Sequence, residues 1–280
     1  MLKTERMDRV RAALRAQGLT QMIVCDPKSV WYLTGVAVEP YERLLALYLP
    51  TEGEPVLFLN RLFNVPEPPC RTVWHTDTDK PVAQIAEVVD AGRPLGIDKE
   101  WPAKFLIPLM ETHPGMQVVL SSDCVDDCRA CKDAEEQALM REASRINDAV
   151  NEAAKHYVKA GMTEREVAEF IDAQFRAHGC EGPSFTTIVS FGANAADPHH
   201  EPDDTVLKEG DCVLFDMGCV KSRYCSDMTR TWFCGQPTEK QAAVHDLVRR
   251  ANETAEALIK PGVKLCDLDA AARLQGGQHL

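Results

Sequence analysis

The hydrophobic period of this chain changes near residue 130, and that change constrains its fold more than any other feature. Up to that point short apolar runs bounded by turn residues alternate with helical patterns. Gln21–Cys25, Leu44–Leu49, Pro55–Leu59, Leu95–Ile97 and Gln117–Leu120 read as buried strands, with helices over Val82–Val89 and near Phe105–Met110. Alternation of this kind predicts an α/β domain over residues 1–130. Met7, Val10 and Leu14 stand at helical spacing before the first strand, among charges that a secretory leader would lack.

Beyond the charged connection from Arg129 to Glu136, a 3.6-residue rhythm takes over. Leu139, Ala143, Ile146, Val150, Ala153 and Tyr157 mark a long amphipathic helix that opens a second domain over residues 131–280. Gly161-Met162 ends it. Thr163-x-x-Glu166 is a capping box for a second helix with Val167, Phe170, Ile171 and Phe175 on its apolar stripe. Strands follow at Thr186–Ser190, Cys212–Val220 and Tyr224–Phe233. A further capping box, Thr238-x-x-Gln241, starts a helix running toward Ile259, and a last helix begins near Leu265.

Composition excludes several function classes. Lys and Arg number 31 against 43 Asp and Glu, a formal charge of −12 that repels a phosphate backbone, so nucleic acid is not an expected partner. No apolar run reaches the roughly 18 residues of a membrane span. Eleven cysteines without framework spacing fit reduced thiols in a cytoplasmic protein.

The segment with the most chemistry is Asn194–Phe233. Two apolar strands each carry a central aspartate, Asp216 and Asp227. A hairpin centred between Lys221 and Ser222 sets the two directly opposite, with Cβ atoms about 4.5–5.5 Å apart, where two like charges need a cation between them. A pair of divalent ions about 3.5–4 Å apart meets that need. A solvent-facing amphipathic hairpin fits the same spacing. Pro198-His199-His200 just upstream adds an imidazole that can serve as ligand or donor, and favours a site.

Pro198-His199 with Glu201-Pro202, Leu207-Lys208-Glu209-Gly210-Asp211, Asp216-x-Gly218 and Tyr224-x-Ser226-Asp227-Met228-Thr229-Arg230-Thr231 together resemble the catalytic core of the creatinase, prolidase and methionine aminopeptidase superfamily. The likeness is greatest to its Xaa-Pro peptidases. Trp31-Tyr32-Leu33-Thr34-Gly35 and Glu42–Leu47 are similar to the N-terminal domain of prolidases, so the resemblance covers nearly the whole chain. It implies an α/β creatinase-like N-terminal domain followed by an α+β "pita-bread" catalytic domain. It also implies metal-assisted hydrolysis of small peptides with proline in the second position, and a homodimer. Asp216 resembles the aspartate that ligates one or both metals, Asp227 the bridging aspartate, and His199 the histidine that contacts substrate and developing charge. His200 has no counterpart and is expected at the surface. Two divalent ions are implied, Mn²⁺ or Co²⁺ by the oxygen-rich ligands, with Zn²⁺ also compatible.

The resemblance further implies five ligands, and the remaining histidine and two glutamates are not expected among these residues. Glu253 and Glu256 fall on an exposed helix face and His279 reads as a tail residue. The catalytic domain is therefore expected to be incomplete, weakly stable and inactive alone. Two other readings stand beside this one. One is a non-catalytic peptide-binding member of the family. The other is an iron–sulfur protein using Cys124, Cys128 and Cys131, whose spacing also suits one face of a helix.

Overall fold

The structure, a computed structural model, describes residues 2–277. It divides into two compact units, Met1–Lys132 and Asp133–Leu280. In the first, α1 (Thr4–Ala16) leads to β1 (Gln21–Val24), α2 (Pro27–Thr34), β2 (Ala46–Pro50), β3 (Val56–Asn60) and β4 (Arg71–His75). Then come α3 (Pro81–Ala86), β5 (Leu95–Ile97), α4 (Ala103–Thr112), β6 (Val118–Leu120) and α5 (Asp123–Ala130). The strands form one mixed sheet in the order β4-β3-β2-β1-β5-β6, with β2 antiparallel to both neighbours and the other pairs parallel.

Helices cover both faces of this sheet, so its central strands are continuously apolar rather than alternating. Met22, Val24, Leu47, Leu49, Leu57 and Leu59 pack with α1, α2 and α5. Ile23, Ala46, Val56 and Phe58 pack with Ile85 of α3 and Leu109 of α4 on the other side. Two elements carried no expectation from sequence. Helix α2 starts where Asp26 accepts the amides of Lys28 and Ser29 and Pro27 fills the first turn, and β4 is a polar edge strand.

The second unit opens with α6 (Ala134–Tyr157) and α7 (Glu164–Ala177), followed by β7 (Gly182–Pro183) and β8 (Ile188–Phe191). A 3₁₀ turn over Gly192–Ala196 precedes β9 (Cys212–Met217), β10 (Cys219–Lys221), β11 (Tyr224–Cys225) and β12 (Met228–Phe233), and α8 (Glu239–Glu256) and α9 (Leu265–Gly277) complete the order. The strands form two antiparallel sheets, β12-β9-β8 and β11-β10-β7. Helix α6 begins five residues before Leu139, within the expected connection, because Asp133 and Glu136 form a reciprocal capping box. The boxes at Thr163 and Thr238 form as the sequence predicts.

Val213, Phe215 and Met217 of β9 pack against Val150 and Ala154 of α6 and Val167, Ile171 and Phe175 of α7. The α6 stripe is displaced from the apolar periodicity, since Asn147 and Asn151 are buried while Tyr157 is exposed. Asn147 donates its side-chain amide to the Met217 carbonyl at 3.0 Å, a hydrogen bond that hydrophobic patterning cannot register. No helix among the described residues is long and apolar enough to cross a membrane.

Candidate functional site

Strands β9–β10 and β11–β12 form one long hairpin, interrupted on one side at Gly218 and on the other at Ser226-Asp227. Its turn is Ser222-Arg223, with φ of 50° and 66°, the paired left-handed geometry of a two-residue hairpin loop. Lys221 therefore pairs with Tyr224, and further down Asp216 faces Thr229. The expected direct opposition of Asp216 and Asp227 is incorrect. The chain turns one residue later than a centre between Lys221 and Ser222 allows, which shifts every pairing by two. The glycine or asparagine that ordinarily marks such a turn is absent here.

The two aspartates remain close along the hairpin, one inside its ladder and one at the break. Odd-numbered residues of β9 enter the helix-packed core, so Asp216 lies on the opposite face with its partner Thr229. Asp227 lies just before β12, outside the ladder, between buried Ser226 and Met228, which packs on the core. Asp216 is half-buried, and its Oδ1 is shielded from solvent with no hydrogen-bond partner. A carboxylate oxygen in that state costs free energy unless a cation or donor reaches it. Asp227 is exposed. The residue before it, Ser226, is buried, and its Oγ accepts the Cys219 amide at 3.0 Å.

Gly218 explains the break in the first strand. A Cβ there would collide with the Ser226 carbonyl and the Ser184 hydroxyl, two groups already hydrogen-bonded to each other at 2.8 Å. The strand junction that sets the spacing between the two aspartates thus admits only glycine. A hard oxygen pair with one orphaned buried atom is a donor set that suits a divalent cation. The same face borders a cleft of about 730 Å³ between the sheet and α8, lined by Leu214, Thr229, Thr231 and Phe233 on one side and Val244 and Val248 on the other.

His199 follows the 3₁₀ turn, which packs on β8 and β9. It is exposed, and its amide donates to Asp197 Oδ1 at 2.9 Å. His200 differs from expectation, because it turns inward and its Nε2 lies 2.7 Å from Glu164 Oε2. Glu164 is fully buried. Its Oε1 accepts the Phe191 amide at 2.7 Å and the Asn194 side-chain amide at 3.0 Å, while Oε2 also accepts the Asp203 amide at 3.2 Å. Glu164, His200 and Asp203 present ligand atoms within 4.8 Å of one another. The carboxylate of Glu164 is already supplied with four donors, so its charge is satisfied by the chain itself. Thr205, through its hydroxyl and amide, holds Asp203 below the usual carboxylate range. Sequence reasoning missed this joint. The available signal was an acidic residue at the first helical position beside the capping Thr163.

Other expected residues find ordinary places. Cys124 is buried in the first unit's core, Cys128 packs beside it and Cys131 is exposed at the end of α5. Among the described residues their sulfurs do not converge as the ligands of one metal ion. The spacing arises because the first two share the apolar face of a helix. Glu253 and Glu256 are exposed on α8, the former paired with Arg249 at 2.7 Å. His279 lies outside the described residues.

Comparison with known proteins gives these features a family. Residues 138–275 match the model of metallopeptidase family M24, and residues 6–131 match that of the creatinase/prolidase N-terminal domain. An uncharacterized peptidase of Staphylococcus aureus is 34% identical over 261 residues, covering 89% of this chain and 72% of its own length. One from Staphylococcus epidermidis is 31% identical, covering 94% of this chain and 76% of its own length. Among solved structures, a recombinant prolidase from Thermococcus sibiricus superposes with a TM-score of 0.92 at 29% identity, covering all of this chain and 78% of its own. A dipeptidase from Mycobacterium ulcerans gives 0.90 at 30%, covering 98% and 76%. With a creatinase-type N-terminal domain followed by a pita-bread domain that carries Asp216, Asp227 and His199, the chain belongs to metallopeptidase family M24.

Proposed function

We propose that this chain carries part of a dinuclear, divalent-metal site for hydrolysis of peptide bonds preceding proline, with dipeptides as substrates. Asp216 and Asp227 would hold the metals. The observation that supports this best is the shielded, unpartnered Asp216 Oδ1, in a hairpin that carries a second carboxylate, in a chain of this family. When bound, such ions supply a Lewis acid for the scissile carbonyl and a more acidic water. Mn²⁺ or Co²⁺ suits the carboxylate oxygens, and Zn²⁺ is compatible. His199, exposed beside an anchored neighbour, donates to the substrate or to the charge that develops on its carbonyl oxygen.

Proline as the second residue is supported by the motif resemblance and by likeness to a prolidase. The homodimer belongs to the same reading. A cytoplasmic location is supported by eleven thiols that are all unpaired. Two carboxylates form a sparse set for a hard cation, which ordinarily takes six or more oxygens, so these two residues are expected to hold metal weakly by themselves.

Binding tests the substrate reading more directly than turnover. With Mn²⁺ present, the proton relaxation of Gly-Pro is expected to quicken on addition of the protein, and that of Gly-Ala to stay near its protein-free value. Equal enhancement of both dipeptides, or enhancement that survives Asp216→Asn, would contradict it.

A further inference from the structure

We propose that Glu164 is a positioning residue for His199, holding the segment that carries this histidine by both of its ends. The claim rests on the reading of His199 as the substrate-facing histidine. Phe191 and Asn194 mark the start of the segment and His200 and Asp203 its end, and all four donate to one buried carboxylate. The two oxygens divide the work. Oε1 takes the donors at the start, and Oε2 takes those at the end.

The geometry explains why adjacent histidines behave so differently. His200 spends its Nε2 on Glu164, and His199, one residue earlier, is exposed with its backbone amide donated to Asp197. A buried carboxylate that accepts four N–H groups at the first residue of α7 is favoured by the helix dipole as well as by those donors. The segment is fastened to the same helix by its backbone, since the amides of Glu164 and Arg165 donate to the carbonyls of Thr205 and Asp203. The helix start is thus a fixed platform. The charge on Glu164 adds what those backbone bonds do not, a hold on the side nearest His199.

An isosteric amide separates this role from simple burial. Glutamine at position 164 keeps the shape but offers one oxygen, so it can accept at one end of the segment and not at both. In the 280-residue chain carrying Glu164→Gln, the Asp203 amide and the His200 Nε2 proton are expected to exchange with solvent about tenfold faster or more, with the Phe191 amide and the β9–β12 ladder unchanged. If the oxygen turns the other way, Phe191 quickens and Asp203 does not. In either case the backbone order parameter of His199 falls. Unchanged exchange at both ends, an unchanged order parameter at His199, or uniform acceleration across the second unit would overturn the proposal.

A second variant, His200→Phe, leaves the Glu164 charge and the ring in place and removes the ring's donor. It is expected to quicken exchange at Asp203 and lower the order parameter of His199, and no change at either would also count against the proposal. His199→Ala reads the functional premise separately. It is expected to abolish the Gly-Pro relaxation effect while leaving Asp203 exchange as in the parent, so the anchor and the substrate contact fail independently.

Discussion

Asp216 faces Thr229 across the β9–β12 ribbon, and Asp227 sits two residues earlier, at the break just before β12. Direct opposition would place two like charges at the closest approach a sheet allows. The position of Asp227 outside the ladder relieves that repulsion. The offset follows from the turn at Ser222-Arg223.

Asp216 is expected to cost the metal-free protein stability. Its Oδ1 is shielded and unpaired. Removing the charge with Asp216→Asn should stabilise the metal-free second unit by about 1 kcal/mol, raising its Tm by roughly 2–4 °C. Calorimetry in a chelating buffer measures this, and a lower Tm in the variant would show that Asp216 is structurally satisfied.

Gly218→Ala should act in the opposite direction. The added methyl meets the Ser226 carbonyl and the Ser184 hydroxyl, and backbone on that side cannot yield cheaply. A loss of about 1–3 kcal/mol is expected in urea unfolding, with the slope unchanged. Because Ser226 precedes Asp227, the same variant should weaken divalent binding. An unaltered unfolding midpoint would contradict the close approach.

The first unit should weaken in alkali. Burial pushes the Cys70 and Cys124 thiols up to about 11 from an ordinary value of 9.0, and it raises Cys25 as well. The folded state then keeps protons that the unfolded state releases. The stability this contributes is present below pH 9.0 and is lost as pH rises toward about 11. Urea titrations at pH 8 and pH 10.5 test the sign. Stability that is flat or rising over that interval would contradict it.

How much of this was legible in the sequence depended on the kind of interaction. The capping boxes at Thr163 and Thr238 and the buried strands of the first unit are local patterns, and they form as read. The motif around Asp216 and Asp227 located the candidate site but not its register. A left-handed pair at Ser222-Arg223 leaves no composition signal, and a turn displaced by one residue moves every cross-strand partner by two. Helix α2 was hidden because its start depends on the Asp26 side chain rather than on a long apolar stripe. The joint at Glu164 gathers donors up to 39 residues away, and such long-range polar convergence has no periodicity to read. His200 was misplaced for that reason, since its neighbour in sequence is exposed and its partner lies on another element.

Site-resolved Mn²⁺ binding tests the central claim most directly. In the ¹⁵N spectrum of the chain, substoichiometric Mn²⁺ should broaden the amides around Asp216, Asp227 and Thr229 first, and Asp216→Asn or Asp227→Asn should each weaken that effect about tenfold or more. Broadening spread evenly over the acidic surface, or centred on Asp216 yet indifferent to both substitutions, would contradict the assignment of these two carboxylates as metal ligands.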